Sequence, residues 1–301
     1  MKFNGLSMIT AAAMALAACS QTPAETSLKE AYADSFMMGC AVNPLHTGGR
    51  LEQARDLILE HFNAISPENC LKPEAVQPSP GVWTFEEADE YVEFGEKHDL
   101  WMLGHTLVWH NQTPSFYWEN PDGTPKSREE LIETMRQHIE TVAGRYAGRI
   151  DAWDVVNEAM ADGDGRRNPW TREEPSPYRQ SRHFKLCGDE FIAKAFEFAR
   201  EADPKALLFY NDYNEYQSGK QDMIIDLLTP VAEAGLIDGM GMQAHIYTGL
   251  STETFVNSMN RYADELGVII HITELDCSIP TTGDGLQAQG EYFEEFFEAL
   301  I

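Results

Sequence analysis

Two glutamates follow runs that otherwise read as buried strands. Glu158 comes late in "IDAWDVVNEA" (150–159), after Ala152, Trp153, Val155 and Val156. Glu274 stands in "VIIHITELD" (268–276), after Val268, Ile269, Ile270 and Ile272. Apolar, β-branched runs with little alternation suit strands covered on both faces. A carboxylate pair of this kind fits cleavage of a glycosidic bond. One carboxylic acid protonates the leaving oxygen, and the other carboxylate attacks the anomeric carbon or activates water. A separation of ~5–5.5 Å goes with retention of configuration and ~6.5–9.5 Å with inversion. The pattern alone leaves both distances open. It also leaves open two structural ion-pair partners with no chemistry.

The elements that would carry these residues can be read along the chain. Strand-like runs lie at 36–42, 62–66, 100–108, 150–156, 206–211, 239–246 and 268–274. Amphipathic stretches of helical period lie between them, at 50–62, 128–148, 189–203 and 289–301 among others. The alternation predicts an α/β protein of parallel strands with right-handed crossovers. A doubly wound sheet would carry a glycine-rich phosphate turn after its first strand, and "GCAVNPLHTGG" lacks that spacing. Polar residues gather instead after nearly every strand: Asn43, Glu68, Asn69, His105, His110, Asn157, Glu158, Asn211, Asp212, Gln243, His245, Glu274 and Asp276. In a (β/α)8 TIM barrel all strand ends converge on one rim, so the barrel is the expected fold. Seven βα units are counted where a barrel has eight, and the chain is expected to be C-terminally truncated. Residues 162–185 read as a long loop after the fourth strand. Trp153, in mid-strand, is expected in the barrel core.

Composition narrows the partners. The 301 residues carry 22 basic and 49 acidic side chains, a net charge of −27. No basic cluster is available for phosphates, which excludes nucleic acid as the expected partner. Residues 1–18 fit an export signal, with Lys2 before a short apolar stretch and small residues at its end. "LAAC" (16–19) resembles a bacterial lipobox, so Cys19 is the expected lipidation site. Residues 19–33 are expected to be a tether and 34–301 an incomplete catalytic domain. The chain would then be exported and lipid-anchored to a bacterial membrane, or otherwise secreted, and monomeric. Cys40, Cys70, Cys187 and Cys277 are too few for a disulfide scaffold. No CxxC or HExxH spacing suggests a metal, and no cofactor is called for.

Seven motifs in order then give a resemblance. "ENCLKPE" (68–74), "GVWTFEEAD" (81–89), "GHTLVWHNQTP" (104–114), "WDVVNEAM" (153–160), "YNDYN" (210–214), "GMQAH" (241–245) and "ITELD" (272–276) resemble endo-1,4-β-xylanases of glycoside hydrolase family 10. The resemblance implies a retaining endo-hydrolase of β-1,4-xylosidic bonds, acting on xylan or xylo-oligosaccharides. It implies Glu158 as acid/base and Glu274 as nucleophile. Asn157 would bond the sugar 2-hydroxyl, Gln243 would support Glu158, and Asp276 would orient His245 onto Glu274. Glu68, Asn69, Lys72, His105, Trp109 and Gln112 would bind sugars on the glycone side. Asn211 and Tyr213 are further substrate-binding candidates, Asn43 is a cleft candidate, and His110 is left open between site and core. Two other readings stay open: a retaining β-1,4-glucanase or mixed-specificity glycosidase, and an inactive surface glycan-binding lipoprotein in which the missing eighth unit has abolished catalysis.

Overall fold

The computed structural model describes residues 26–162, 176–279 and 283–301. Cys19, the expected export signal and residues 163–175 of the expected loop lie outside the described residues.

Among the described residues there are nine strands: β1 (Gly39–Val42), β2 (Ala64–Pro67), β3 (Trp101–Val108), β4 (Ala152–Asn157), β5 (Leu207–Asp212), β6 (Gly239–Met242), β7 (His245–Tyr247), β8 (Ile269–Ile272) and β9 (Asp276–Ser278). Seven of them form one parallel sheet in the order β1-β2-β3-β4-β5-β6-β8. The order never reverses, which is the topology of a βα barrel and not of a doubly wound sheet. Among the described residues no ladder joins β8 back to β1. At that open side β8 is half-exposed, with Ile269 at 51%. The run at 239–246 is split by a left-handed Ala244 (φ 56°) into β6 and β7, and β7 pairs separately with β9.

The alternation of each strand divides two environments. One face packs Trp153, Val155, Leu208, Tyr210 and Met240 into the main core beneath the helices. Those helices include Glu86–His98, Arg128–Arg145, Glu190–Ala202 and Ser218–Glu233. Trp153, expected in the barrel core, is completely buried but lies between the sheet and its helices, because the alternation that turns Ala152 and Asp154 into the barrel turns residue 153 outwards. It fits because residue 104 is glycine: a Cβ there would stand 2.2 Å from Trp153 Cε3. The opposite face holds a small cluster of Leu103, Ala152 and Phe209, with Trp101 and Leu207 against it. Two residues further along the same strands come His105, Asp154 and Asn211. The register sets Leu103 beside Ala152 and His105 beside Asp154. The barrel interior is thus apolar at its floor and polar towards the C-terminal rim.

Two expected boundaries move. The expected tether to residue 33 is ordered from Ser27, because Leu28–Ala31 is a helix. Glu30 reaches back to the Ser27 N–H at 3.1 Å and hydroxyl at 2.8 Å, and Lys29 donates to the Leu59 carbonyl at 2.6 Å. Tyr32 stacks on Phe36 at 4.9 Å and leans on Phe297 at 5.4 Å. The loop expected to reach residue 185 ends at Ser181, whose hydroxyl caps the helix Arg182–Cys187. Cys70 and Cys277 are buried and Cys40 and Cys187 half-buried. Burial pushes the Cys40 and Cys70 thiols up to about 12.

Candidate active site

Glu158 is the residue after β4, and its φ of 57° puts it in the left-handed region that non-glycine residues seldom occupy. Glu274 is two residues past β8. A network of three amides connects the two carboxylates. Gln243 Nε2 donates to Glu158 Oε1 at 3.2 Å and to Asn157 Oδ1 at 3.1 Å. Asn157 Nδ2 also donates to Glu158 Oε1, at 3.2 Å. Asn211 Nδ2 donates both to Asn157 Oδ1 at 3.0 Å and to Glu274 Oε1 at 2.9 Å. The register explains the gathering: Asn157 lies beside Asn211, and Asn211 beside Gly241. Residue 241 must be small. A Cβ there would meet Asn211 Oδ1 at 2.6 Å, in the space through which this side chain reaches Glu274 and accepts from Thr273 Oγ1 at 2.7 Å.

The short β7–β9 ladder builds the other side of Glu274. It sets His245 opposite Asp276, and His245 Nδ1 stands 2.6 Å from Asp276 Oδ2. His245 Nε2 is 3.6 Å from Glu274 Oε2, a close charge contact longer than a hydrogen bond. Glu274, then Asp276, outweigh the opposing effect of burial and raise the His245 imidazole to about 9. Burial pushes the Glu274 carboxyl up. His245, the charge of His105 and the Asn211 amide more than offset this, so its ionisation lies below the usual glutamate range. His105 is itself held by Asp154, Nδ1 to Oδ2 at 2.8 Å. Glu274 is thereby kept as a carboxylate, the form a nucleophile requires.

Glu68, Asn69, Lys72, Trp109 and Gln112 lie together on the side of the rim above β2 and β3. Lys72 Nζ donates to Asn69 Oδ1 at 3.0 Å and to Gln112 Oε1 at 2.9 Å, and sits 4.9 Å from the Trp109 ring centroid. Gln112 Nε2 donates to Asn69 at 3.2 Å and to Glu74 at 3.1 Å. Glu68 accepts from Asn43 Nδ2 at 3.2 Å. Burial draws the Lys72 ammonium below its usual range, while Glu274, Glu158, Glu74 and Glu68 all act to hold its proton. This cation therefore feels both carboxylates of the centre. Trp109 lies 6.5 Å from the His105 ring, linking this cluster to the barrel interior.

Tyr213 stands apart from that cluster. Its hydroxyl accepts from Arg179 at 2.7 Å and donates to Asp162, and Arg179 Nε donates to the Glu158 carbonyl at 2.9 Å. It therefore belongs to the Glu158 side of the rim. His110 Nε2 is 4.0 Å from Glu158 Oε2, and burial lowers its imidazole to about 4, so it meets Glu158 as a neutral ring. Sequence reasoning missed Asp154, Arg179 and Thr273. Asp154 had a readable signal, an acidic residue inside an apolar run. Arg179 had none, since only the folded loop brings it to Glu158.

The comparisons accord with this geometry. The model of "Glycosyl hydrolase family 10" matches residues 27–301. The chain belongs to glycosyl hydrolase family 10. Relatives include an endo-1,4-beta-xylanase/feruloyl esterase of Xylanibacter ruminicola, 44% identical over 86% of this chain and 36% of its own length. An endo-1,4-beta-xylanase of Geobacillus stearothermophilus is 40% identical over 93% of this chain and 83% of its length. The chain spans 36% of the Xylanibacter protein and 23% of the endo-1,4-beta-xylanase A of Thermotoga maritima. Among solved structures, a psychrophilic family 10 endo-beta-1,4-xylanase superposes with a TM-score of 0.83 at 36% identity, covering 91% of this chain and 85% of that one. A mutant of an intracellular xylanase from Thermoanaerobacterium saccharolyticum in complex with xylotriose gives 0.83 at 33% identity, covering 93% and 86%.

Proposed function

We propose that this chain is a retaining endo-1,4-β-xylanase that cleaves xylan by double displacement. In this reading Glu274 attacks the anomeric carbon while Glu158 gives its proton to the leaving oxygen. Glu158 then takes a proton from the water that releases the sugar. The observation that carries it is the shared amide network, in which Asn157, Gln243 and Asn211 hold the two carboxylates to one rim. Family membership and the names of the relatives support the substrate class.

The assignments of the other residues follow their positions. His245, held by Asp276, keeps Glu274 ionised, and Gln243 and Asn157 aim Glu158. Glu68, Asn69, Lys72, His105, Trp109 and Gln112 grip glycone sugars through hydroxyl hydrogen bonds and one aromatic face. Tyr213 lies against aglycone sugars beyond Glu158. Export, with a lipid on Cys19, would present the enzyme to a polymer too large to enter a cell.

The experiment is proton NMR of the first product formed from xylohexaose, beside Glu158→Ala and Glu274→Ala. The reading expects β-configured product first and a rate loss of several orders of magnitude for Glu274→Ala. Initial α-product would overturn it.

A further inference from the structure

The chain turns sharply at Glu158, and the two amides after it converge on one atom. Ala159 N and Met160 N donate to the Tyr210 hydroxyl oxygen at 3.0 and 3.2 Å. Tyr210 is on β5, beside Val156 of β4 in the register, and is completely buried. Its hydroxyl donates in turn to Asp212 Oδ2 at 2.6 Å. Asp212 Oδ1 accepts from Lys220 Nζ at 2.7 Å and from the Tyr213 N–H at 2.9 Å. Asp212 and Lys220 have no solvent exposure, and the ammonium also sits 4.0 Å from the Tyr213 ring centroid.

Packing does not account for this group. A phenylalanine would fill the same core volume at 210. A buried ion pair is seldom more stable than apolar residues of the same shape. Lys220 also lies in the first turn of the helix Ser218–Glu233, where the helix dipole disfavours a cation. What the hydroxyl does specifically is accept two N–H groups. It can do so only if its own proton points elsewhere, and Asp212, paired with Lys220, is the acceptor that takes it. The Glu158 peptide is also held by its own N–H to the Asn211 carbonyl at 2.9 Å. The left-handed backbone at Glu158, which a non-glycine residue holds only at a cost in strain, is thus over-determined by its surroundings.

We propose that Tyr210, oriented by the Asp212–Lys220 pair, is a positioning residue that sets where the Glu158 carboxyl stands for proton transfer to the leaving oxygen. This rests on the reading of Glu158 as acid/base. Tyr210 touches no substrate and acts only through the backbone after Glu158. Its loss therefore harms the substrates that need a proton on the leaving oxygen more than those that do not.

The test compares kcat/KM of Tyr210→Phe on xylohexaose and on 2,4-dinitrophenyl β-xylobioside, whose leaving group departs without protonation. The expected loss on xylohexaose is about 100-fold, the scale of a misplaced catalytic group, and at least tenfold smaller on the activated substrate. Glu158→Ala is the reference and should show the same split, more strongly. If Glu158→Ala loses both substrates alike, the acid/base reading fails and the positioning proposal falls with it. If Glu158→Ala splits them but Tyr210→Phe harms both equally, or neither, the positioning proposal alone is overturned. Thermal melts of the variants accompany the assay. Should Tyr210→Phe not fold, Asp212→Leu/Lys220→Met keeps the hydroxyl and removes both the acceptor that aims it and the ammonium paired with that acceptor. That variant must show the same split, and an equal loss on both substrates overturns the proposal.

Discussion

Replacing Asp276 with asparagine probes how the nucleophile is kept ionised. Asp276 Oδ2 lies 2.6 Å from His245 Nδ1, and the two side chains are 62% and 44% exposed. Pairs so exposed contribute about 0.2–1 kcal/mol, because water screens them. One pKa unit corresponds to 1.36 kcal/mol, so Asp276→Asn should lower the His245 midpoint by roughly one unit or less. The imidazole stands at about 9 in the folded protein, and the Glu274 carboxylate is its largest support. It should therefore stay above the ordinary value of 6.5 in the variant. The sign follows from the raised value. His245 binds its proton more tightly folded than unfolded, so its contribution to stability is complete below about 6.5 and is lost as pH rises through about 9. Removing Asp276 moves that loss to lower pH. The asparagine carbonyl can still accept from Nδ1–H, so the ring keeps its orientation. The activity at pH 7 should then fall by less than about fivefold. The assay is an NMR titration of the His245 ring protons, beside Glu274→Gln. A wild-type midpoint at or below 6.5, or a midpoint unmoved by Asp276→Asn, would show that these two carboxylates do not hold the imidazole charged.

Two further outcomes are expected. Gly241→Ala places a Cβ 2.6 Å from Asn211 Oδ1 and forces that side chain off Glu274. Its kcat should fall about 100-fold with a folded circular dichroism spectrum, and a change below twofold would show the Asn211 bridge to be dispensable. Lys72→Met keeps the alkyl stem but loses the bonds to Asn69 and Gln112. A charged hydrogen bond to substrate of about 1.5–3 kcal/mol predicts KM for xylotriose raised tenfold or more with kcat within about threefold, and a kcat-only effect would place Lys72 in the chemistry instead.

The strands were legible because each is a continuous apolar run ending in polar residues. Their C-terminal ends are where a barrel gathers its site, so Glu158, Glu274, Asn157, Asn211 and Gln243 could be read together. The motifs then carried the family. The β7–β9 ladder was not legible, because three residues show no period. His245 and Asp276 could be paired only through the resemblance, and the ladder supplies the physical reason. The side of the rim on which Tyr213 stands was not legible, since nothing local shows that Arg179 and Asp162 bind it. The helix at Leu28–Ala31 carries a legible signal, Ser27 followed by Glu30, in a segment otherwise polar enough to read as a tether. Ser181 likewise marks the start of the helix Arg182–Cys187. The hydroxyl of Tyr210 had no readable signal. Its partners at 159, 160 and 212 meet only when β4 and β5 are in register.

The most direct measurement is covalent trapping with 2,4-dinitrophenyl 2-deoxy-2-fluoro-β-xylobioside, followed by peptide mass spectrometry. Fluorine at position 2 slows both attack and release by destabilising their oxocarbenium-like transition states, and the dinitrophenolate leaving group keeps attack the faster step, so the first covalent species accumulates. One fluoroxylobiosyl group per chain is expected, attached to Glu274, with none on Glu274→Gln. A label on another carboxylate, or turnover with no adduct, would contradict that assignment.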